Sequence, residues 1–524
     1  MKISYYKRDN IEYAKIPGKS VRKGKSVRKV GEVYLGRVID KDHNVFYNRN
    51  RGMFTYDPDT QVYGSTSESY SSELKDDGRR KSKILLDFGD AFMVDALLKK
   101  MHYSEVLDSI SYRNRDTLYA MIEYYTLCDK ANDHALTWYE GSYACILYPN
   151  ANLTSQRISD FLSSIGKMEN LSAFFDAHIA WVKKYATDDP AVLIDSTGLP
   201  NSIHFPLTAI SNHNGKISRE VRMTTILQRD SGYPLMFRIN PGNIVDCSTL
   251  TRSVNEAGER GLKVDMAILD AGYCTNPNID ELCRARIEWL TRLPETNKIW
   301  KDLIHEEADD LRSKGHLIKY LDRYVYVKRV TVHVGTDSQF EAYAYLGYDI
   351  ERAAEETRKV TANAQKKRLS AEQLNSRLET AGYFVIVSSL CYSEEDILPA
   401  YYTRQLVEQY FDIDKGISNL TPLRVHSEDA LRGHLLLSMI ASTINVYIQK
   451  QTKKLATDRE ELFMSLRNQK CIVYKSKILT GEAQKKANDL YAGFDIKCPI
   501  SIDRSGATLK YQYHFHRINT EESD

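Results

Sequence analysis

Two short stretches decide the fold of this chain: AVLID at 191–195 and MAILD at 266–270. Each is an uninterrupted apolar run that ends in an acid, which is the pattern of a strand buried on both faces of a sheet. Hairpin and helical patterns alternate around them, so we predict an α/β core. Because sites form at the carboxyl edge of an open sheet, Asp195 and Asp270 are candidates for one site. Taken singly, either aspartate is better explained by a turn or a helix cap, and the pair leaves both interpretations open.

A second pattern combines Tyr401, Arg404, Glu408 and Lys415, which follow one another at intervals of three, four and seven residues. We predict a helix over 397–411, and on a continuous helix through these positions the four side chains share a stripe about 60° wide. One helix face would then carry a carboxylate, two cations and a phenol. An exposed polar face with an ion pair between Arg404 and Glu408 is the structural alternative. Apolar neighbours on the same face favour an inward orientation.

The carboxylates of the two patterns suit metal-dependent phosphodiester chemistry. Asp195, Asp270 and Glu408 could together hold two divalent cations, one to activate the attacking oxygen and one to stabilise the leaving oxygen. Oxygen ligands of this kind select Mg²⁺ or Mn²⁺ over zinc. The two cations and the phenol of the second pattern would bind backbone phosphates beside the scissile bond.

The charge of the chain is concentrated at its start. The 524 residues have a net charge of +2, whereas the first 52 carry 14 Lys and Arg against five acids. A basic head on a mildly acidic body fits an arm that binds a polyanion, and a solvated leader is the alternative. Within this head GKSVRK occurs twice in tandem, at 18–23 and 24–29. We interpret this repeat as a duplication within a loop.

The remaining composition excludes several classes of protein. The eight Cys contain no CxxC pair, which argues against a zinc ribbon or a disulfide framework and fits a reducing cytosol. The first residues form no apolar leader, and no stretch approaches the ~20 apolar residues of a membrane span. We therefore expect a cytoplasmic protein with no membrane partner.

These residues resemble those of a known family. Asp195, the DAGY segment at 270–273 and the Tyr-Arg-Glu-Lys signature at 401–415 are similar to those of a bacterial insertion-sequence transposase of the DDE type, in the branch marked by that signature. The resemblance also includes Arg292 and extends over about residues 85–450. The long interval between Asp270 and Glu408 fits the insertion domain that this branch places there.

The resemblance implies an RNase H-like catalytic core that cuts the ends of a mobile element and joins them to target DNA. Asp195, Asp270 and Glu408 would be the catalytic ligands of two Mg²⁺ or Mn²⁺ ions. The residues implied in DNA binding are Tyr401, Arg404, Lys415 and Arg292. The implied partners are double-stranded DNA, namely the end repeats and the target, and further copies of the chain in a homodimer or larger oligomer. Such a protein would be associated with the nucleoid.

Two alternatives remain at this point. One is an RNase H-like nuclease that cuts without strand transfer, which an assay for joined products would distinguish. The other is a catalytically silent DNA-binding protein derived from a transposase, and the presence of all three acids counts against it.

The full prediction is an α/β protein with an RNase H-like core, an inserted α+β segment, a basic β-rich unit and a helical domain. The predicted boundaries are 1–70 for the basic DNA-binding unit, 84–185 for the helical domain, 186–296 for the first part of the core, 297–382 for the insertion, 383–455 for the second part of the core and 456–524 for a C-terminal region.

Overall fold

The computed structural model describes most of the chain. The described residues are 2–8, 11–23, 26–48, 51–66, 85–201, 205–213, 216–243, 250–364, 370–416, 423, 425–474 and 477–503. In this part of the chain, none of the helices combines the length and the apolar character that a membrane crossing needs.

The N-terminal residues form antiparallel strands with a core of their own. The strands are β1 (Ser4–Arg8), β2 (Ile11–Ile16), β3 (Lys19–Lys23), β4 (Ser26–Val30), β5 (Val33–Asp40), β6 (Val45–Asn48), β7 (Gly52–Tyr56) and β8 (Tyr63–Ser65). Six of them form one sheet in the order β1-β2-β5-β6-β7-β8, while β3 and β4 pair only with each other. The hydrophobic cluster of the six-stranded sheet consists of Ala14, Ile16, Leu35, Phe46, Phe54 and Tyr56.

The tandem GKSVRK repeat is a structural hairpin, so its interpretation as a loop duplication is wrong. The first copy supplies β3 and the second supplies most of β4, with Lys19 opposite Val30 and Arg22 opposite Val27. A duplicated sequence gives both strands the same β-branched residue, Val21 and Val27.

The next segment is mostly helical. It contains β9 (Leu85–Asp87), α1 (Gly89–Lys100), α2 (Ser104–Leu107), α3 (Arg115–Leu127), α4 (Ala135–Gly141), α5 (Ala144–Leu147), α6 (Ser155–Ile165) and α7 (Met168–Tyr185). His178 of α7 ties this segment to the sheet that follows, because its Nε2 lies 2.6 Å from the Pro234 carbonyl oxygen and its Nδ1 lies 2.9 Å from the Tyr103 hydroxyl.

A ten-stranded sheet forms the centre of the molecule. The elements of this region are β10 (Ala191–Pro200), β11 (Ala209–His213), β12 (Lys216–Gln228), β13 (Pro234–Pro241), α8 (Leu250–Glu259), β14 (Met266–Leu269), α9 (Asn276–Arg284), β15 (Glu288–Arg292), α10 (Lys298–Leu311), β16 (Leu317–Tyr320), β17 (Arg323–Val334), β18 (Phe340–Asp349), α11 (Ile350–Ala364), α12 (Ala371–Glu379) and β19 (Tyr383–Ser388). The strand order is β11-β12-β10-β14-β15-β19-β18-β17-β16, and β13 also pairs with β12. The strands β10, β14 and β15 are parallel to one another.

The strand that carries Asp195 is longer than expected. We predicted that the strand ends at this acid, but β10 continues to Pro200 because β12 pairs with it antiparallel as far as Pro200 and Glu220. The parallel pairing with β14 does end at Ile194 and Leu269. Asp195 therefore still lies where the parallel part of the sheet stops.

The segment 297–382 is part of the same sheet. Its strands β16, β17 and β18 extend the sheet from β19 outward, through pairs such as Tyr345 with Ile386. The sheet is continuous across this segment because β19 pairs on its other side with β15, as in Thr291 with Val387.

The last part of the chain returns to the helical segment. It contains α13 (Ile397–Tyr402), α14 (Gln405–Gly416), α15 (Glu428–Lys454), α16 (Arg459–Arg467), β20 (Lys470–Val473), β21 (Lys477–Thr480), α17 (Lys485–Gly493) and β22 (Ser501–Asp503). The strands β22, β21 and β20 form a small sheet with β9. The long helix α15 is buried along most of its length and contacts α3 through the Tyr125 hydroxyl, 2.6 Å from Nδ1 of His434.

Candidate active site

The two aspartates lie side by side at one edge of the central sheet. Ile194 and Leu269 are partners across β10 and β14, so the next residues, Asp195 and Asp270, occupy adjacent positions. Asp270 follows β14 and accepts the Tyr273 amide on its carbonyl oxygen at 3.0 Å. One Asp195 carboxylate oxygen accepts the Ser196 amide at 2.7 Å. The sheet therefore brings together two acids that are distant in sequence.

Arg404 contacts all three predicted acids. Its Nη2 lies 2.8 Å from Oδ2 of Asp195 and 3.4 Å from Oδ1 of Asp270, and its Nη1 lies 3.1 Å from Oε1 of Glu408. Three carboxylates that are far apart in the sequence thus meet around one guanidinium. Since that guanidinium neutralises only one of their three charges, the cluster keeps a negative charge that favours further cations.

The acids differ in how far they face solvent. The side chain of Asp195 is 13% exposed and that of Arg404 is 16% exposed, whereas Glu408 is 61% exposed. Burial is the strongest influence on the pKa of Arg404 and lowers it, but the nearby carboxylates, Asp195 and Asp270 foremost, raise the pKa above its ordinary value overall. The guanidinium is therefore a permanent cation at the centre of the acids.

The helix that we predicted over 397–411 is two helices. The chain leaves α13 at Tyr402 and enters α14 at Gln405. Hydrogen bonds that span three residues tighten the chain between them: the Arg404 amide donates to the Tyr401 carbonyl at 3.1 Å, and the Thr403 hydroxyl donates to the carbonyl of Ala400 at 2.8 Å. The single 60° stripe is therefore wrong, because the regular rotation of about 100° per residue does not relate Tyr401 to Glu408.

A cleft of about 460 Å³ nevertheless collects most of the predicted residues. Its lining includes Asp270, Arg292, Tyr401, Arg404 and Glu408. Asp195 is not part of the lining and is linked to the cleft through Arg404. The tertiary structure thus joins the end of β15, the loop after β14 and the junction of α13 and α14 into one site.

Arg292 supplies a cation to the cleft, and among the described residues Glu356 is the acid with the largest effect on its pKa. It is the last residue of β15 and is half-buried. Among the residues that the structure describes, none forms an ion pair with it. Burial lowers the pKa of Arg292, and the neighbouring charge of Arg352 lowers it further. A partly desolvated cation of this kind favours an anion from solution.

Tyr401 is a phenol donor at the wall of the cleft. It is buried, and that burial raises its pKa well above the ordinary value for tyrosine. The hydroxyl therefore keeps its proton at any physiological pH and can donate a hydrogen bond. Lys415 lies near the end of α14, but its side chain is outside the described part of the chain.

Sequence reasoning missed several further residues that line the cleft, among them Glu295, Tyr402 and Gln405. The ring of Tyr402 stacks on that of Tyr320, with centroids 5.4 Å apart and an angle of 22° between the planes. Tyr320 belongs to β16 of the segment 297–382, so this segment contributes to the wall beside the site. The paired tyrosines at 401–402 were the only signal in the sequence.

The donor set at the site suits a hard divalent cation. It consists of carboxylates with no sulfur or imidazole ligand, which is the chemistry that Mg²⁺ and Mn²⁺ prefer. In the described part of the chain, no three Asp, Glu, His or Cys side chains are grouped closely enough to hold an ion as they stand. The Arg404 guanidinium occupies the space between the three carboxylates, and an ion would have to take its place.

Comparison with known proteins assigns this region to a family. Residues 186–444 match the model of the transposase DDE domain. This match supports a transposase of the DDE type. It begins before β10, ends within α15 and includes every residue predicted for the site, so the chain carries the domain of an enzyme, a transposase.

Other comparisons are less informative than the match to the DDE domain. None of the curated proteins matches the chain. Among solved structures, the chain is similar to the piggyBac transposase seen by cryo-EM in a synaptic complex with hairpin DNA. The identity is 12%, the TM-score is 0.36, and the similarity covers 71% of this chain and 76% of the other.

Proposed function

We propose that this protein cuts DNA at the ends of an insertion element and joins those ends to target DNA, with the help of divalent metal ions. The observation that supports the proposal is the convergence of Asp195, Asp270 and Glu408 on one guanidinium. Three acids that are distant in sequence and meet around one cation provide the kind of carboxylate cluster that a divalent metal site needs. The branch would be the bacterial one with the Tyr-Arg-Glu-Lys signature, in agreement with Tyr401, Arg404 and Glu408 at one site.

The strand order supports an RNase H-like core within this domain. The strands β13, β12 and β10 are consecutive antiparallel neighbours, and β14 and β15 continue from β10 in parallel. The segment 297–382 would be the insertion between the second acid and Glu408. It adds three strands to the far side of the sheet and one stacked tyrosine to the cleft wall.

Asp195, Asp270 and Glu408 would hold two Mg²⁺ or Mn²⁺ ions once Arg404 withdraws. When bound, such ions activate an attacking oxygen and stabilise a leaving oxygen in phosphodiester cleavage. Arg404, released from the acids, would then be free to bind a phosphate of the DNA.

The remaining residues of the cleft would hold the DNA backbone. Arg292 provides a cation with no ion-pair partner among the described residues, and Tyr401 provides a protonated hydroxyl. Lys415 would add a further phosphate contact. Each of these groups donates to an anionic oxygen, so together they would position the scissile phosphate beside the acids.

The partners follow from this chemistry. The element's end repeats and the target are duplex DNA, and joining two ends requires a homodimer or larger oligomer on the DNA. We accordingly propose a cytoplasmic protein associated with the nucleoid.

The acids can be tested with isosteric variants of the full chain. We expect Asp195→Asn, Asp270→Asn and Glu408→Gln each to lower Mg²⁺-dependent cleavage of an end duplex by at least about 10³-fold, because each change removes a metal-ligand charge. Binding of the duplex, measured by fluorescence anisotropy without metal, should stay within about twofold of the original chain.

Glu169→Gln is the matched control, because Glu169 is an exposed carboxylate of α7 that is not part of the cleft lining. It should cleave at the original rate. Cleavage by Glu408→Gln at that same rate would refute the proposal. A plasmid assay for joined products then separates a transposase from a nuclease that only cuts.

A further inference from the structure

Tyr320 lies at the tip of a hairpin next to the candidate active site. It is the last residue of β16, and a turn formed by Leu321 and Asp322 leads to its partner Arg323 in β17. Leu321 has a φ of 53°, a left-handed backbone conformation that is an outlier for a bulky side chain. The turn is therefore tight, and it holds Tyr320 directly opposite Arg323.

Two contacts hold the Tyr320 ring. The Arg323 guanidinium lies 5.8 Å from the ring centroid, within the range of a cation–π contact. Arg323 also pairs with Oδ2 of Asp349 at 2.7 Å, and Asp349 is buried at the end of β18. The Tyr320 ring stacks in addition on Tyr402, with centroids 5.4 Å apart. Tyr320 thus links the buried end of β18 to α13.

The end of α13 depends on this stack. The helix has only six residues, and a helix of that length is not stable in water without tertiary contacts. Its last residue is Tyr402, which stacks on Tyr320, and the residue before it is Tyr401, which is buried in the wall of the cleft. The segment 297–382 therefore supplies one of the two aromatic contacts that fix where α13 stops.

Arg404 needs the break between α13 and α14 in its present position. The residue lies between the two helices, and its guanidinium reaches Asp195, Asp270 and Glu408 at 2.8, 3.4 and 3.1 Å. Hydrogen bonds between nitrogen and oxygen extend over about 2.7–3.2 Å. A shift of about 1 Å at the end of α13 would therefore break the contacts of Arg404 with Asp195 and Glu408.

We propose that Tyr320 is a positioning residue of the active site, which stacks on Tyr402 and thereby holds Arg404 among the three acids. This role rests on the proposed function, because it concerns the ligands of the same metal ions. It assigns the segment 297–382 a part in controlling the site. While the stack is intact, Arg404 keeps cations out of the carboxylate cluster, and when the stack is lost the guanidinium leaves the acids more easily.

The affinity for metal in the absence of DNA tests this role in the full chain. We expect Tyr320→Ala to bind Mn²⁺ about threefold more tightly than the original chain, which is the scale of one aromatic pair. Isothermal titration calorimetry measures the affinity. Tyr320→Phe keeps the ring and should keep the original affinity. A variant that only disturbs the structure of the site would bind Mn²⁺ more weakly.

A double-mutant cycle shows whether the effect passes through Arg404. When Arg404→Gln is already present, Tyr320→Ala should cause no further change in Mn²⁺ affinity. Tyr402→Leu removes the other ring of the stack and should give the same gain as Tyr320→Ala, so the test does not depend on the folding of one variant.

Tyr324→Ala is the matched control. Tyr324 belongs to the same hairpin and is 57% exposed, and no ring of the described chain stacks on it. Its variant should keep the original affinity. The proposal is wrong if Tyr320→Ala and Tyr402→Leu bind Mn²⁺ as the original chain does, or if their gain persists beside Arg404→Gln.

This failure is distinguishable from a failure of the proposed function. Unchanged Mn²⁺ affinity in the Tyr320 and Tyr402 variants overturns the role of the stack alone, while cleavage of an end duplex can still depend on Glu408. An original chain that binds no Mn²⁺ and cuts no duplex overturns both.

Discussion

At the scale of single residues, Arg404 determines the state of the site. Its guanidinium contacts Asp195, Asp270 and Glu408 at 2.8, 3.4 and 3.1 Å. This arrangement keeps three like charges together in the absence of metal, because each of them is close to a cation. The same cation competes with any metal ion for those carboxylates.

Removing the Arg404 charge should therefore strengthen metal binding. We expect Arg404→Gln to bind Mn²⁺ in the absence of DNA at least about tenfold more tightly, since two unit charges 4 Å apart interact by about 4 kcal/mol at an effective dielectric constant of 20. Isothermal titration calorimetry measures the affinity directly.

Arg292→Gln is the control for this experiment. It removes a cation from the same cleft that makes no ion pair with the acids, so its effect on Mn²⁺ affinity should be much smaller. Both variants should bind an end duplex more weakly, because each lacks a cation that would bind a phosphate. If Arg404→Gln binds Mn²⁺ no better than Arg292→Gln does, the competition does not exist.

At the scale of elements, α1 and α3 share a buried acidic pair. Glu123 of α3 has no exposed surface and accepts the Tyr148 hydroxyl at 2.7 Å. Burial raises the pKa of Glu123 well above its ordinary value, and the nearby Asp95 of α1 raises it further. Burial also raises the pKa of Asp95, although Lys99 opposes this at 2.6 Å. These helices therefore pack around a carboxyl group that holds its proton.

This proton makes the stability of the helical segment depend on pH. The folded chain keeps a proton that the unfolded chain releases above a pKa of 4.5, so stability is lost as the pH rises from that value through the raised pKa. We expect Glu123→Gln, which has no such proton to lose, to show a smaller fall in melting temperature between pH 5 and pH 8.

Differential scanning fluorimetry at both pH values provides the measurement. The exposed Glu169 of α7 provides the control, and Glu169→Gln should show the same fall as the original chain. If the melting temperature of Glu123→Gln falls as much as that of the original chain, Glu123 is ionised in the folded protein.

At the scale of the whole molecule, the helical segment holds the DDE domain through buried polar contacts. His178 is fully buried between the Tyr103 hydroxyl and the Pro234 carbonyl oxygen. Burial lowers its pKa to about 4. The imidazole is therefore neutral, with Nε2 as the donor to Pro234 and Nδ1 as the acceptor from Tyr103.

This contact should make the fold sensitive to acid. The unfolded chain takes up a proton at His178 below a pKa of 6.5, while the folded chain does so only near 4, so stability is lost as the pH falls between these values. At pH 8 we expect His178→Phe to melt at a lower temperature than the original chain, because the variant lacks the two hydrogen bonds of His178. Each such bond contributes ~1 kcal/mol. Its melting temperature should also decline less between pH 7 and pH 5.

The exposed His305 of α10 is the matched control, and His305→Gln should decline as the original chain does. An equal decline in His178→Phe would show that another group accounts for the acid sensitivity.

Part of this fold follows from local sequence patterns. The runs 191–194 and 266–269 are strands because four consecutive apolar residues can be buried on both faces of a parallel sheet. The acid after each run lies where the parallel pairing ends. Arg404, immediately before the first residue of α14, likewise pairs with Glu408 in the first turn of that helix, because residues four apart at such a position are neighbours. These features depend on residues a few positions apart, which is the range that patterns describe.

The sequence by itself determined which side chains could do chemistry, and the tertiary structure decided where they meet. The contact between Arg404 and Asp195 joins residues 209 positions apart, and no local period describes such a distance. The extension of β10 to Pro200, the break before Arg404 and the strand formed by each GKSVRK copy depend on a partner strand or on turn hydrogen bonds. Those interactions form only when the chain folds, because they join segments that are distant in sequence. Local propensities describe each segment by itself and do not include the energy of pairing or packing between segments.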